Sequence, residues 1–197
     1  MAHLPSIYNN RSLSRTFSKN LPKYFTFDEV KQILTNDLRD KNYKAYFLCL
    51  FLWNTGARIS EALSVKVSDI DLIGKAMQIS TLKREGHLRV IPLHNSFIGE
   101  IALWINQNEL KRNSRVFAFT RQTGRNLVRS ACSHAGINDE RAHPHTFRHS
   151  FAINCLLQGV PITVLQEWLG HRDINKTLIY TKILAQDSRS FLENMKM

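Results

Sequence analysis

Nine consecutive residues, Ala45 to Trp53 (Ala-Tyr-Phe-Leu-Cys-Leu-Phe-Leu-Trp), carry no charge and almost no polar atom. A helix that is apolar on every side has no face to offer water and must be a buried central element. As a helix this run is only about 14 Å long, well short of the roughly 30 Å needed to cross a bilayer. The spacing therefore predicts a core helix over Tyr43–Asn54, ended by Gly56, against which the other elements pack. The chain has 197 residues, 43% of them hydrophobic, which suits one sizeable core. No apolar segment of signal-peptide type opens it, so the expectation is a soluble protein of the cytoplasm, away from membranes.

Charge narrows the partner. Lys and Arg outnumber Asp and Glu by 27 to 16, a formal net charge of +11. A basic chain of this size faces a polyanion, and nucleic acid is the first choice. Residues 1–25 hold Arg11, Arg15, Lys19 and Lys23 with no acid among them and read as a basic flexible arm, a candidate for tracking a DNA backbone. Three widely spaced cysteines, Cys49, Cys132 and Cys155, form no Cys-x-x-Cys pair. Neither a disulfide framework nor a zinc ribbon is expected, and no metal or cofactor is predicted.

From Thr26 onward the pattern is mainly α with a small antiparallel β-sheet of about three strands. Thr26 and Glu29 have capping-box spacing, and Phe27, Val30, Leu34 and Leu38 then recur at helical intervals. Met77, Ile79 and Thr81 alternate, and Leu88–Leu93 is extended, which predicts a β-hairpin around the charged tip Lys83-Arg84-Glu85-Gly86-His87. Val67–Leu72 is the candidate third strand. Helices are expected over 96–107, 124–135, 146–158, 161–169 and from Asn175 on, with Pro161 at a start and Gly159 and Gly170 at ends.

Chemistry concentrates in the last quarter. His145 and Arg148 lie three apart near a helix start, on one face, where backbone N–H groups favour an anion. Arg148 can grip two phosphate oxygens, and His145 can exchange a proton near neutral pH. His171 follows Leu169-Gly170 in a tight turn, and Tyr180 comes nine residues later. Far upstream, Arg58 stands after a hydrophobic helix, with Glu61 three residues on as an available ion-pair partner. Each of these residues alone has an ordinary structural reading: a cap, a surface pair, a turn histidine, a half-buried core tyrosine.

Taken together, Thr-Gly-Ala-Arg-Ile-Ser-Glu (Thr55–Glu61), His-Pro-His-Thr-Phe-Arg-His-Ser-Phe-Ala (His143–Ala152), Leu-Gly-His-Arg-Asp (Leu169–Asp173) and Tyr180 resemble the tyrosine recombinase (phage integrase) family. Lys-Tyr-Phe-Thr-Phe-Asp-Glu-Val (Lys23–Val30) resembles the start of its catalytic domain. The resemblance implies that fold and a site-specific recombinase that cuts and rejoins DNA through a 3′-phosphotyrosine link. Tyr180 would be the nucleophile, Arg58 and Arg148 would hold the non-bridging oxygens, His171 would hydrogen-bond the phosphate, and His145 would assist proton movement at Tyr180. A hairpin lysine acts as general acid in the family; Lys83 is the match, with Arg84 or a register shift as the alternative, and Arg84 is also a DNA-backbone candidate.

The same resemblance implies double-stranded DNA with paired inverted-repeat sites as partner, and a tetramer on that DNA joined through the tail after Leu184. Packing of that tail on its own core is the other reading. Residues 26–197 are expected to be the catalytic domain with a C-terminal tail helix, with no separate N-terminal core-binding domain. The chain is then either a minimal member or a fragment, and an accessory DNA-binding protein is a candidate partner. Rival readings are a non-catalytic DNA-binding protein on the same fold, a type IB topoisomerase-like enzyme, and a metallohydrolase using His143, His145, His149 and His171.

Overall fold

The helices begin where the sequence supplies caps. In the computed structural model, which describes residues 22–80 and 88–186 with side chains through Ile183, Thr26 accepts from the Glu29 backbone while the Glu29 carboxylate accepts from the Thr26 N–H. This capping box opens α1 (Phe27–Ile33). The apolar period through Leu38 does not continue as one helix. Thr35 takes an extended conformation and caps a second, short helix, α2 (Asn36–Lys41), through the Leu38 N–H. A hydroxyl that satisfies an orphan donor outweighs the hydrophobic spacing that runs through it.

α3 (Tyr43–Thr55) is the buried helix expected from the nine-residue apolar run. Phe47, Leu48, Cys49, Phe51 and Leu52 are all fully buried. Phe47 stacks on Trp104 with centroids 4.5 Å apart, and Phe51 meets Phe117 edge-on at 5.2 Å. Gly56 ends the helix at φ +58, and a Cβ there would lie 2.3 Å from the Phe151 ring. Glycine thus serves two needs at this point, a left-handed backbone and close approach of another helix.

The short α4 (Ile59–Ala62) follows. Half of the candidate third strand, Val67–Leu72, is instead a 3-10 turn at Val67–Asp69, leaving a two-residue strand β1 (Ile70–Asp71). It pairs antiparallel with β2 (Ala76–Ser80), which pairs antiparallel with β3 (Leu88–Pro92), giving the sheet order β1-β2-β3. Met77, Ile79 and Ile91 point into the core, and register puts Arg89 on the same side, opposite Ile79. The helices α5 (Asn95–Gln107), α6 (Arg121–His134), α7 (Pro144–Leu157), α8 (Ile162–Leu169) and α9 (Asn175–Gln186) complete the described chain. Pro144 sits at the start of α7, while Pro161 immediately precedes α8 as its cap residue. Among the described residues no helix is long and apolar enough to cross a membrane.

Two apolar clusters result. The larger gathers α1 to α6 with the sheet; the smaller joins the later part of α7 to α8 and α9. α7 passes through both, with Phe147 in the first and Phe151 in the second. Arg148 therefore emerges at the seam between them. Phe51→Ala should lower stability by about 3–5 kcal/mol, because truncating a buried ring in α3 leaves a cavity that its neighbours cannot fill. Urea denaturation followed by circular dichroism measures this.

Candidate active site

Glu61 is the hub of the seam. It is 1% exposed, yet its carboxylate has three guanidinium groups around it. Arg58 Nη1 lies 2.7 Å from Oε1, Arg89 Nη2 lies 2.8 Å from Oε2, and Arg148 Nη1 lies 3.8 Å from Oε2. Oε2 also accepts from the Arg58 backbone N–H at 2.8 Å. Burial alone would raise the Glu61 pKa; the Arg89 hydrogen bond and charge, the Arg58 N–H and Arg148 outweigh it and hold the carboxyl below its ordinary 4.5. Glu61 stays ionised, so the cluster carries two positive charges in excess. Uncompensated cations at a partly open seam are a seat for a phosphate.

Arg148 is 3% exposed. Nη1 donates to the Gly56 carbonyl at 2.7 Å, and Nη2 donates to the Leu169 carbonyl at 2.6 Å and lies 3.0 Å from His171 Nε2. Burial first, then the nearby Arg58, bring its pKa down to about 9, still high enough to keep it charged at neutrality. Gly170 closes α8 in the left-handed region at φ +63, and the turn delivers His171 beside Arg148. The other ring nitrogen, Nδ1, lies 2.9 Å from the Thr177 hydroxyl, which fixes the ring plane. Burial and the cations Arg148 and Arg58 lower the His171 pKa to about 4, so the ring is neutral.

His145 lies near the amino end of α7, exposed, its ring stacked on His143 at 5.3 Å. Although the ring reaches solvent, the protein mass behind it and the charges of His143, Arg148 and Arg58 lower its pKa. Tyr180, on α9, is 2% exposed. Its hydroxyl is 3.0 Å from Nδ1 of His149, so the histidine on the tyrosine in this structure is His149 rather than His145. Burial raises the Tyr180 pKa despite the lowering effect of Arg148 and Arg58. Burial likewise brings His149 down to about 4.

Arg58, Arg148, His171 and Tyr180 are thus brought to one seam by α4, α7, the α8–α9 turn and α9. Lys83 and Arg84 lie outside the described residues, as do Arg11, Arg15, Lys19 and the tail beyond α9. Lys23 is exposed and forms an ion pair with Glu140. His143, His145, His149 and His171 do not converge: two stack on each other, one faces Tyr180, one faces Arg148. Among the described residues no group of three His, Cys, Asp or Glu is placed to hold a metal ion.

Sequence reasoning missed Arg89 and Thr177, and gave His149 only as a metal-ligand candidate and not as the partner of Tyr180. The signal for Arg89 was its place two residues before Ile91 in an alternating strand, on the buried side. Also missed was a basic row on α6. Arg121, Arg125 and Arg129 recur every four residues, the helix has no acidic residue, and the charges of Arg125 and Arg129 act on His143.

This fold and this cluster define a class, and comparison with known proteins places the chain in it. The sequence model of the Phage integrase family matches residues 23–187. The chain belongs to the phage integrase family. Tyrosine recombinase XerA of Pyrococcus horikoshii is 33% identical over 189 residues, covering 91% of this chain and 63% of the relative. The chain therefore spans less than two thirds of that protein. A resolvase of Escherichia coli is 32% identical, covering 85% of this chain and 74% of the resolvase. Among solved structures, that of XerA recombinase has a TM-score of 0.76 at 23% identity, covering 91% of this chain and 68% of its own. The catalytic domain of bacteriophage HP1 integrase has a TM-score of 0.64 at 22% identity, with 89% of this chain and 99% of the HP1 domain covered. The shared fold is that of tyrosine recombinase catalytic domains.

The buried ionisable groups predict a pH dependence. His149 and His171 are neutral in the fold down to about 4, while in the unfolded chain they protonate near 6.5. Stability is full above 6.5 and falls as pH drops from 6.5 toward 4. The Glu61 contribution is full above its ordinary 4.5 and is lost only as pH falls further, through its depressed folded value. Melting temperature against pH should therefore decline continuously below 6.5. Glu61→Gln should flatten the limb below 4.5 and cost about 3–5 kcal/mol at neutral pH by leaving buried cations unpaired.

Proposed function

We propose that this chain is the catalytic part of a site-specific DNA recombinase that cuts and rejoins strands through a 3′-phosphotyrosine. The observation that carries this is the two-charge excess around Glu61, formed by Arg58, Arg89 and Arg148, with Tyr180 and His171 at the same seam. Arg58 and Arg148 bind the non-bridging oxygens of the scissile phosphate and offset the negative charge that grows in the pentavalent transition state. His171, neutral, accepts from Arg148 at Nε2 in this structure; with the phosphate beside Arg148 the ring takes its other tautomer, Thr177 donates to Nδ1, and Nε2–H donates to one of those oxygens. Tyr180 leaves His149, loses its proton with help from His145, and its oxygen attacks phosphorus. The P–O5′ bond breaks, and the 5′ oxygen takes a proton from Lys83. The 5′ hydroxyl of a second strand reverses the step, so the bond energy is conserved and no nucleotide cofactor is consumed.

Solved structures of similar fold support DNA as partner: XerH recombinase is seen bound to difH substrate before cleavage and to a palindromic difH substrate after it. On the present chain Arg121, Arg125 and Arg129 of α6 offer further positive charge to DNA phosphates, and Arg11, Arg15, Lys19 and Lys23 are backbone-contact candidates by their charge. Assembly is read as a tetramer on paired inverted repeats, coupled through the tail, with an accessory DNA-binding protein as a further partner in the cytoplasm.

The test starts from a library of nicked duplexes with randomised sequence, from which covalently captured DNA is recovered and sequenced. On a recovered site, wild type should give a covalent protein–DNA band on a denaturing gel. Tyr180→Phe should abolish it while leaving binding within a few-fold; an unchanged band in that variant would sink the assignment. Arg58→Ala and Arg148→Ala should each slow adduct formation by about 100- to 1,000-fold. Relaxation of supercoiled plasmid without paired sites would point to the topoisomerase-like activity instead. In a separate binding measurement, Arg125→Gln and Arg129→Gln should each reduce the slope of log K against log salt by about 1, uniformly across DNA sequences.

A further inference from the structure

Arg89 is a buried cation on a strand; it counts in the charge around Glu61, but no step of the strand transfer described above uses it. Its side chain is 6% exposed. Nη2 donates to Glu61 Oε2 at 2.8 Å, across 28 residues of sequence. Nε donates to the Trp168 carbonyl at 2.7 Å, across 79 residues. Nη1 is buried with no hydrogen-bond partner. A Cβ at Gly170 would lie 3.2 Å from both Cδ and Nη1, so the absence of a side chain at Gly170 makes room for this guanidinium. Burying a cation with a spare donor costs free energy that a smaller apolar residue would avoid.

Its contacts span the site. Glu61 is the carboxylate that orients Arg58. Trp168 and Leu169 are consecutive, and their carbonyls, at the negative end of α8, are taken by Arg89 and Arg148 respectively. One residue beyond them the chain turns through Gly170 into His171. Arg89 also sits on β3, one of the two strands that flank the Lys83 segment.

We infer that Arg89 is a positioning residue for strand transfer: through Glu61 it sets Arg58, and through the Trp168 carbonyl it sets the turn that presents His171. It touches no reacting atom. It ties the sheet, α4 and the end of α8 to one guanidinium, so the phosphate-binding groups keep a common frame. The inference rests on the proposed recombinase reading and adds to it a residue that acts by geometry.

The test uses the full chain and a captured site in two versions, one with the ordinary scissile phosphodiester and one with a methylphosphonate there, which lacks the non-bridging negative charge. Arg89→Met should slow adduct formation on the phosphodiester by about 100-fold, the usual loss when catalytic groups shift by about 1 Å. On the methylphosphonate, where the arginines have little charge to neutralise, the loss should shrink to less than about tenfold. Arg58→Ala with Arg89→Met should be slower than Arg58→Ala alone, but by clearly less than the product of the two single losses, because only the route through the His171 turn is left to lose. Arg89→Lys keeps a cation against Glu61 and guards against misfolding, but one ammonium cannot span both acceptors. It should show the same selectivity with a loss of about tenfold. Equal losses on the two substrates together with multiplicative effects in the double variant would overturn the inference, since a merely stabilising residue behaves that way. Wild type that forms no adduct with any library member would instead overturn the recombinase reading, and this inference with it.

Discussion

One buried carboxylate organises this protein. Glu61 sits where two apolar clusters meet and collects guanidinium groups from its own helix start, from the sheet and from α7. The two buried ones, Arg89 and Arg148, depend on it for counter-charge, because an unpaired buried charge costs several kcal/mol. Nor can a single acid neutralise all three. The arrangement holds fixed positive charge in a low-dielectric place, and the surplus is available to a phosphate. Fold and proposed chemistry therefore share one interaction: the contact that closes the seam is also the one on which the proposed phosphate site rests.

The helical framework serves this hub in ways that follow from elementary packing. α3 must be central because no side of it tolerates water, and its left-handed end at Gly56 lets α7 approach closely enough for Arg148 to reach the Gly56 carbonyl. α7 links the two clusters, so a displacement of the smaller one acts directly on Arg148. From Arg148, which also donates to the Leu169 carbonyl, a chain of hydrogen bonds runs through the His171 ring to the Thr177 hydroxyl in α9, the helix that carries Tyr180.

How much of this was legible in the sequence depended on distance along the chain. Arg58, His145, Arg148, His171 and Tyr180 lie in contiguous motifs whose spacing is itself the signal. The buried helix and the hairpin were legible because their periods are local. Arg89 was not, since its partners are 28 and 79 residues away and strand hydrophobicity points the wrong way: Leu88 and Val90 are the exposed neighbours. His149 was hidden for a related reason, as only the packing of α9 on α7 brings Tyr180 to it. The break between α1 and α2 illustrates the converse. The apolar period running past Thr35 suggested one helix, and local hydrogen bonding prevailed.

Tyr180 has a further consequence. A pocket of surplus positive charge attracts any phosphodiester, and a cell offers millions of them. A hydroxyl that is 2% exposed, with its pKa raised by burial and its oxygen tethered to His149, cannot reach a phosphate merely because one has arrived. For the strand transfer proposed above, α9 must first release the tyrosine, so occupancy and scission are separate events. On that reading the catch separates binding from cutting: bystander DNA would rest on the arginines and depart intact.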